Sequence, residues 1–541
     1  MDAGEASEAF ARDAEPDAEA GKGPARADRK ALAGGVVLAA LVIALLAPFL
    51  TADPPRGLTG SNAALTDEGF NLASARERVL SGRFATGDVD RSLTNGAYSA
   101  IAAGVFAVTR PRMAAGRAIS VAAVAAAVLL LAVGLAEPLG PGAALLAAGA
   151  LAGSDLILEY GRLALVEPTV VALLAAAFVL AVRAPARPSA PAGVGLGLAL
   201  AAAVSVKAIA AVPAVAMLAV VVGAALHRRD RHALRMGLLA LGVAVAAGLT
   251  WLFAVALPNL DRLHTGLEIW PAVDYLAAPW TLAGRLGSYL GSGADGALWR
   301  SLPLLAAAVV GLVALGRDWR QLGRGARDAL AMAALWGFGL WAAVGAGDYL
   351  PTHYVAPNRY VVPALPGLAV VAGFGIARLA AAAPAWSLER RAGGGARWPG
   401  TRATRAAVAA VLALAVALPG AARYLSGASA SGHQRERDQA ALAARLPGSA
   451  VVFGAYAPTL LFDTRMRLLS TWPPAGANVD DPVGRFGVSH VLATEPADSS
   501  DPTTDVPAFR DVGGSRALAM VRWGDRTIGL YGVAASAPAA R

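Results

Sequence analysis

The sequence predicts a polytopic α-helical membrane protein of about eleven spans, ending in a small extracytoplasmic α/β domain. Three observations predict it. Hydrophobic residues make up 56% of the 541-residue chain and charged residues only 16%, against roughly 25% charged in soluble domains. Apolar runs close to the roughly 20 residues that cross a 30 Å hydrocarbon core recur along it. From about Arg423 they give way to charged stretches, Gly/Pro/Asp turns and short β-rich runs.

Mean hydropathy is +0.53, the formal charge is +9 and the pI is about 10.1. The arginines fall in clusters between apolar runs, above all His227–Arg235, Arg317–Arg327 and Glu389–Arg405. That is the bias of cytoplasmic loops beside anionic lipid. It makes the bilayer the partner and argues against nucleic acid. The chain has no cysteine, which excludes disulfides, thiolate catalysis and cysteine-ligated metals.

Residues 1–30 are polar and Ala-rich and read as a disordered cytoplasmic tail, too long and acidic for a signal peptide. Arg29 and Lys30 hold it inside, ahead of a first span at Ala31–Leu50. Residues 51–117 form a first outer loop, and 31–422 form the membrane domain. Leu93–Thr109 is apolar but short. If it spans, all three basic clusters fall outside; if it lies in the interface, all three fall inside, and the interfacial reading is adopted. Arg110, Arg112 and Arg117 then lie on the outer side. Further spans are expected at Ala118–Ala136, Ala143–Ile157, Thr169–Val182, Val194–Val206, Ala208–Leu226, Met236–Leu257, Leu302–Leu315, Ala329–Val344, Tyr360–Ala377 and Ala406–Leu418. An odd count places residues 423–541 outside a multi-pass protein of the plasma membrane. Within them a helix is expected at Arg435–Leu446 and strands at Ala450–Gly454, Val488–Ala493, Ala517–Arg522 and Thr527–Tyr531.

Ionisable groups at membrane depth are costly and mark function by default. Four clusters fall on the expected outer side. The first is Thr66-Asp67-Glu68-Gly69-Phe70. Paired carboxylates suit a general base or a cation site; the plainer reading is an acidic first helical turn. The second runs from Ser154 to Pro168, where Asp155, Glu159 and Arg162 share a helix face by spacing. It reads either as a site or as an ion pair locking a helix end. The third is Lys207, the only lysine after Lys30, a cation suited to phosphate. The fourth is Gly347–Pro363, with His353, Arg359 and Tyr360; Arg359 can clamp a phosphate with two hydrogen bonds. The Pro258–Arg300 loop adds His264, Glu268, Asp274 and tryptophans that read as an interfacial belt. There is no zinc-ligand spacing, Walker A sequence or Ser-His-Asp arrangement. Acids beside phosphate-binding cations outside the cytosol suit a reaction on a phosphate-linked lipid donor, since nucleotide sugars and ATP are cytoplasmic.

In these features the chain resembles the GT-C superfamily of membrane glycosyltransferases, nearest the protein O-mannosyltransferase and lipid A aminoarabinose transferase group. The acidic outer-loop motif is matched by Asp67-Glu68-Gly69. A Ser-Arg-x-Ala-x-x-Glu/Asp stretch is matched by Tyr160-Gly161-Arg162-Leu-Ala-Leu-Val-Glu167, with glycine at the usual serine. Lys207 matches a lysine two spans later, and Arg359-Tyr360-Val-Val-Pro363-Ala-Leu-Pro366 matches an Arg-Tyr-x-x-Pro-x-x-Pro opening of a late span. The resemblance covers residues 31–380. It implies transfer of a sugar from polyprenyl phosphate to a glycan, lipid or protein acceptor of the cell envelope. It makes Asp67 the base, supported by Glu68. Glu159, Arg162, Glu167, Lys207, His353, Arg359 and Tyr360 bind substrate, the last cations neutralising phosphate. No cofactor is certain; a divalent cation is left open. The rival classes are a transporter or flippase, with paired broken helices, and a non-catalytic assembly partner.

Overall fold

The computed structural model describes residues 24–54, 67–85, 87–260, 297–347, 358–382, 401–470, 481–495, 503, 506–509, 515–523 and 526–533. Helix α1 (Pro24–Leu46) starts inside the stretch expected to be a tail. Two helices follow in the expected outer loop, α2 (Asp67–Ser81) and α3 (Gly96–Thr109). At 1.5 Å per residue α3 is about 21 Å long, short of the hydrocarbon thickness. Then come α4 (Met113–Gly134) and α5 (Ala136–Ala152). A 58° bend leads from α5 into the short α6 (Asp155–Gly161). The remaining membrane helices are α7 (Glu167–Arg183), α8 (Ala190–Val206), α9 (Ala211–His227), α10 (Arg231–Trp251), α11 (Ala297–Asp318), α12 (Arg324–Gly347), α13 (Leu365–Ala382) and α14 (Thr401–Ser429).

Each segment expected to span overlaps one of these helices, except that Ala143–Ile157 is broken by the bend between α5 and α6. Eight of the described helices are long and apolar enough to cross a membrane, or nine with the bent pair, against the eleven spans expected; α8, at 17 residues, is shorter, and α12 is not among the eight. Their outward faces carry Val215, Phe253, Val313 and Val411, each more than 60% exposed. Such faces require lipid. The protein is a multi-pass membrane protein.

Helix α13 runs through the middle of the bundle, with Leu365 to Ile376 buried throughout. Small residues let its neighbours approach. A Cβ on Gly367 would lie 2.5 Å from Gly337 N of α12, one on Gly373 2.5 Å from Ala147 N of α5, and one on Gly375 2.7 Å from Gly311 N of α11. Close backbone approach is how helices gain dispersion energy in lipid, where no hydrophobic drive exists between them.

The C-terminal domain starts with α15 (Gln434–Ala443). It contains β1 (Val451–Phe453), β2 (Arg467–Leu469), β3 (His490–Glu495), β4 (Ala519–Trp523) and β5 (Arg526–Gly532). The sheet order is β2-β1-β3-β5-β4. Strand β1 is parallel to β2 and β3, whereas β5 is antiparallel to β3 and β4. The domain is α/β as expected, but β2 was not anticipated: its three residues are too few for a period-2 pattern to emerge beside Arg465 and Arg467. Phe462 enters the core of the helical bundle, its ring 5.9 Å from Phe106 of α3.

Gly367→Val is expected to abolish recovery of folded, monodisperse protein in detergent. Gly316→Ala, on α11 with nothing within 4 Å of the added Cβ, is expected to behave as wild type. Size-exclusion chromatography with thermal unfolding checks both.

Candidate active site

Asp67 and Glu68 open α2 as first-turn acids, where a helix N-terminus favours negative charge. The two face different partners. Asp67 pairs with Arg359 Nη1 and keeps 28% of its side chain exposed. Arg359 and Tyr360 stand in the 3₁₀ turn Asn358–Ala364, just before α13. Arg359 Nε also lies 3.6 Å from Glu167 Oε1. Glu167 is the first residue of α7, ahead of Pro168, and its side chain is almost wholly buried. Lys207 occupies the break between α8 and α9 in extended backbone, φ −158° and ψ 123°. From there its Nζ lies 2.5 Å from Glu167 Oε1 and 3.8 Å from the centre of the Tyr360 ring. Asp67, Glu167, Lys207, Arg359 and Tyr360, from four stretches of chain, thus form one cluster of alternating charge.

Arg91 is a further cation that the sequence pattern did not single out. Its guanidinium lies 3.4 Å from the centre of the Phe70 ring, a cation–π arrangement. Burial lowers it to about 10, so it stays charged at neutral pH. Burial raises the Asp67 carboxyl, but Arg359 foremost, then Arg91 and Lys207, more than offset this and hold it below the usual 3.8. Asp67 is therefore an ionised acceptor. Glu167 Oε2, Arg359 Nε and the hydroxyls of Tyr98 and Tyr160 are buried with no hydrogen-bond partner among the described residues. Buried polar atoms are normally paired, so the cluster is equipped to take a polar ligand.

The other expected site residues lie elsewhere. Glu68 is 1% exposed and forms two 2.7 Å hydrogen bonds with Arg117 Nε and Nη2; its Oε1 also accepts from Ala164 N at 2.8 Å. It joins α2 to α4 and to the turn before α7. Arg162 does not share a face with Asp155 and Glu159, because α6 ends at Gly161. It donates instead to the carbonyls of Phe49, Ala52 and Asp53 at 3.1, 3.0 and 2.8 Å. Glu159 pairs with Arg300, which also lies 2.7 Å from Asp155; Arg423 reaches Asp155 at 2.9 Å. This second cluster joins α6, α11 and α14. His353, and the loop with His264, Glu268 and Asp274, lie outside the described residues. The one available signal for Arg117 was its place inside an apolar run, since an arginine at that depth needs an anion. Among the described residues no group of three or more His, Asp or Glu side chains is arranged to hold a metal ion.

This helical arrangement, with its soluble C-terminal domain, superposes on solved structures of ArnT from Cupriavidus metallidurans. Bound to undecaprenyl phosphate, ArnT matches with a TM-score of 0.57 at 14% identity, over 93% of this chain and 99% of that one. The fold is GT-C-like. Apo ArnT matches with a TM-score of 0.55 at 15% identity, over 92% and 98%. The oligosaccharyltransferase of Archaeoglobus fulgidus, tethered to an acceptor peptide with the NVT sequon, matches with a TM-score of 0.53 at 13% identity, over 86% of this chain and 69% of that one. Coverage on this scale extends into the C-terminal domain, beyond the residues 31–380 of the sequence resemblance. No family model matches the chain, and no curated protein matches it in sequence.

Burial raises the Glu68 carboxyl, but Arg117 and the Ala164 amide outweigh burial and hold it below the usual 4.5. A carboxyl lowered in the folded state adds stability that is present above its unfolded pKa and is lost as pH falls through the folded value. Glu68→Gln leaves Arg117 buried without its anion, so it should cost about 3–5 kcal/mol at pH 7. The deficit should shrink as pH falls below 4.5. Thermal unfolding of both proteins across pH checks this.

Proposed function

We propose that the protein is a glycosyltransferase that moves a sugar from a polyprenyl-phosphate donor to an acceptor on the extracytoplasmic side of the membrane. The observation that carries the reading is one cluster holding a part-exposed carboxylate, Asp67, beside two cations, Lys207 and Arg359. The GT-C-like fold supports it, as does the undecaprenyl phosphate bound to ArnT. The C-terminal domain sits at the same end of the bundle as this cluster, and that end is taken as extracytoplasmic. The transporter alternative calls for paired broken helices; the described residues hold one bent pair.

The acceptor hydroxyl loses its proton to Asp67 as its oxygen bonds to the anomeric carbon. The bond from that carbon to the phosphate oxygen breaks, its electron pair leaves with polyprenyl phosphate, and the sugar inverts. Phosphate goes from one negative charge toward two as it departs. Lys207 and Arg359 therefore stabilise the transition state more than the bound donor, which is what accelerates a reaction. Tyr360 backs Lys207 with its ring face. Both cations are paired with carboxylates, so the donor phosphate competes with Asp67 for Arg359 and with Glu167 for Lys207. Donor binding before acceptor follows. Asp67 and Glu167 are also the carboxylates at hand for a divalent cation.

The test is transfer from radiolabelled polyprenyl-phosphate sugars by purified protein in nanodiscs. Asp67→Asn is expected to lower turnover by about 10²–10⁴-fold, the usual worth of a general base. Lys207→Met is expected to weaken undecaprenyl phosphate binding as well as turnover. EDTA followed by Mg²⁺ or Mn²⁺ reads the metal question. Wild-type transfer rates in Asp67→Asn contradict the mechanism.

A further inference from the structure

The two halves of the proposed site are held by different parts of the molecule. Glu167, Lys207 and Arg359 are tied to one another and to membrane helices. The helix that carries Asp67 is tied at Glu68 to Arg117 of α4 and, at Gly69 and further along, to the C-terminal domain. Gly69, two residues after Asp67, donates its backbone N–H to Thr459 Oγ1 at 3.2 Å. A Cβ on Gly69 would lie 2.3 Å from the Pro458 carbonyl oxygen, so no larger residue permits this approach. Further along α2, Arg76 is 1% exposed. It donates to the carbonyls of Phe462, Thr464 and Met466 at 2.9, 2.8 and 2.7 Å and to Glu77 at 2.7 Å.

One more tie fixes the same segment, and another fixes the start of α15 beside it. Asp463 accepts from Met113 N at the start of α4 at 2.6 Å and pairs with Arg435 of α15 at 2.9 Å. Asp53, after the first span, accepts from Arg435 N at 3.2 Å, and its own N–H donates to Gly432 O at 2.8 Å. Residues 458–466 therefore form a rigid seat for α2. An arginine held by three carbonyls and a carboxylate gives direction as well as attraction.

We infer that the C-terminal domain is a positioning element: through Thr459 and the 462–466 carbonyls it sets where Asp67 stands relative to Arg359 and Lys207. Gly69, Arg76 and Thr459 are then positioning residues that act through Asp67 and touch no substrate. This rests on the reading of Asp67 as base. It gives the domain a task that needs no contact with the acceptor. A misplacement of about 1 Å is enough to cost roughly a hundredfold in rate.

The test uses the full-length chain in nanodiscs with Gly69→Ala, Thr459→Val and Thr459→Ser. Turnover should fall roughly ten- to hundredfold in the first two, while affinity for undecaprenyl phosphate, held by the helices, does not fall and tightens as far as Asp67 competes less for Arg359. Thr459→Ser keeps the hydroxyl and should restore turnover. A second readout needs no activity: titration of the Asp67 carboxyl by ¹³C NMR. Its midpoint should rise toward 3.8 in Gly69→Ala and Thr459→Val as the Arg359 pair loosens. Loss of affinity in step with turnover would overturn the inference, as would an unmoved Asp67 midpoint in both variants. A wild-type protein inactive on every donor would instead defeat the functional reading and leave the titration to decide the positioning.

Discussion

A charge taken out of water must be paired, and here that constraint divides two adjacent carboxylates between two tasks. Glu68 receives a partner it cannot lose: Arg117 grips both its oxygens in a site 1% exposed. Removing either partner would leave the other buried and unmatched. Asp67 receives a partner it can exchange, because its ion pair with Arg359 lies where the side chain is still 28% exposed. The permanent pair fixes the start of α2, and the exchangeable pair sits on it. A rearrangement at Asp67 can therefore leave the helix in place.

The same logic extends across the cluster. Glu167 is shared between Lys207 and Arg359, so both cations face a carboxylate. Such a site is stable without ligand and still specific for an anion, since an incoming phosphate can replace a carboxylate on the same cations. The cost is competition between carboxylate and phosphate. On the proposed mechanism, the benefit is that the base is released when the donor is seated and not before. Both clusters form around breaks in helices, Lys207 between α8 and α9 and Asp155 after the bend from α5. Irregular backbone at depth is tolerated where it faces protein or a polar cavity.

Much of this was legible in the sequence. The spans follow from hydropathy, and the break at Lys207 follows from a lone lysine ahead of Pro213. Asp67, Glu167, Lys207, Arg359 and Tyr360 were picked out by their expected side of the membrane, and they do meet. What the sequence could not supply was the pairing. Glu68 was expected to support Asp67 because the two are neighbours, but successive residues on a helix point about 100° apart, so one turned to Arg117 and the other to Arg359. Arg162 looked like a site residue because its spacing presumed that α6 continued past Gly161. Arg76 carried no signal at all, since its acceptors are backbone carbonyls nearly four hundred residues away. Carbonyls have no sequence signature.

The central claim is that Asp67 and the donor phosphate compete for Arg359. The most direct measurement is the affinity of Asp67→Asn for undecaprenyl phosphate, compared with wild type at neutral pH. Removing the competing charge should tighten binding several-fold, even as turnover is lost. An unchanged or weaker affinity would contradict the account.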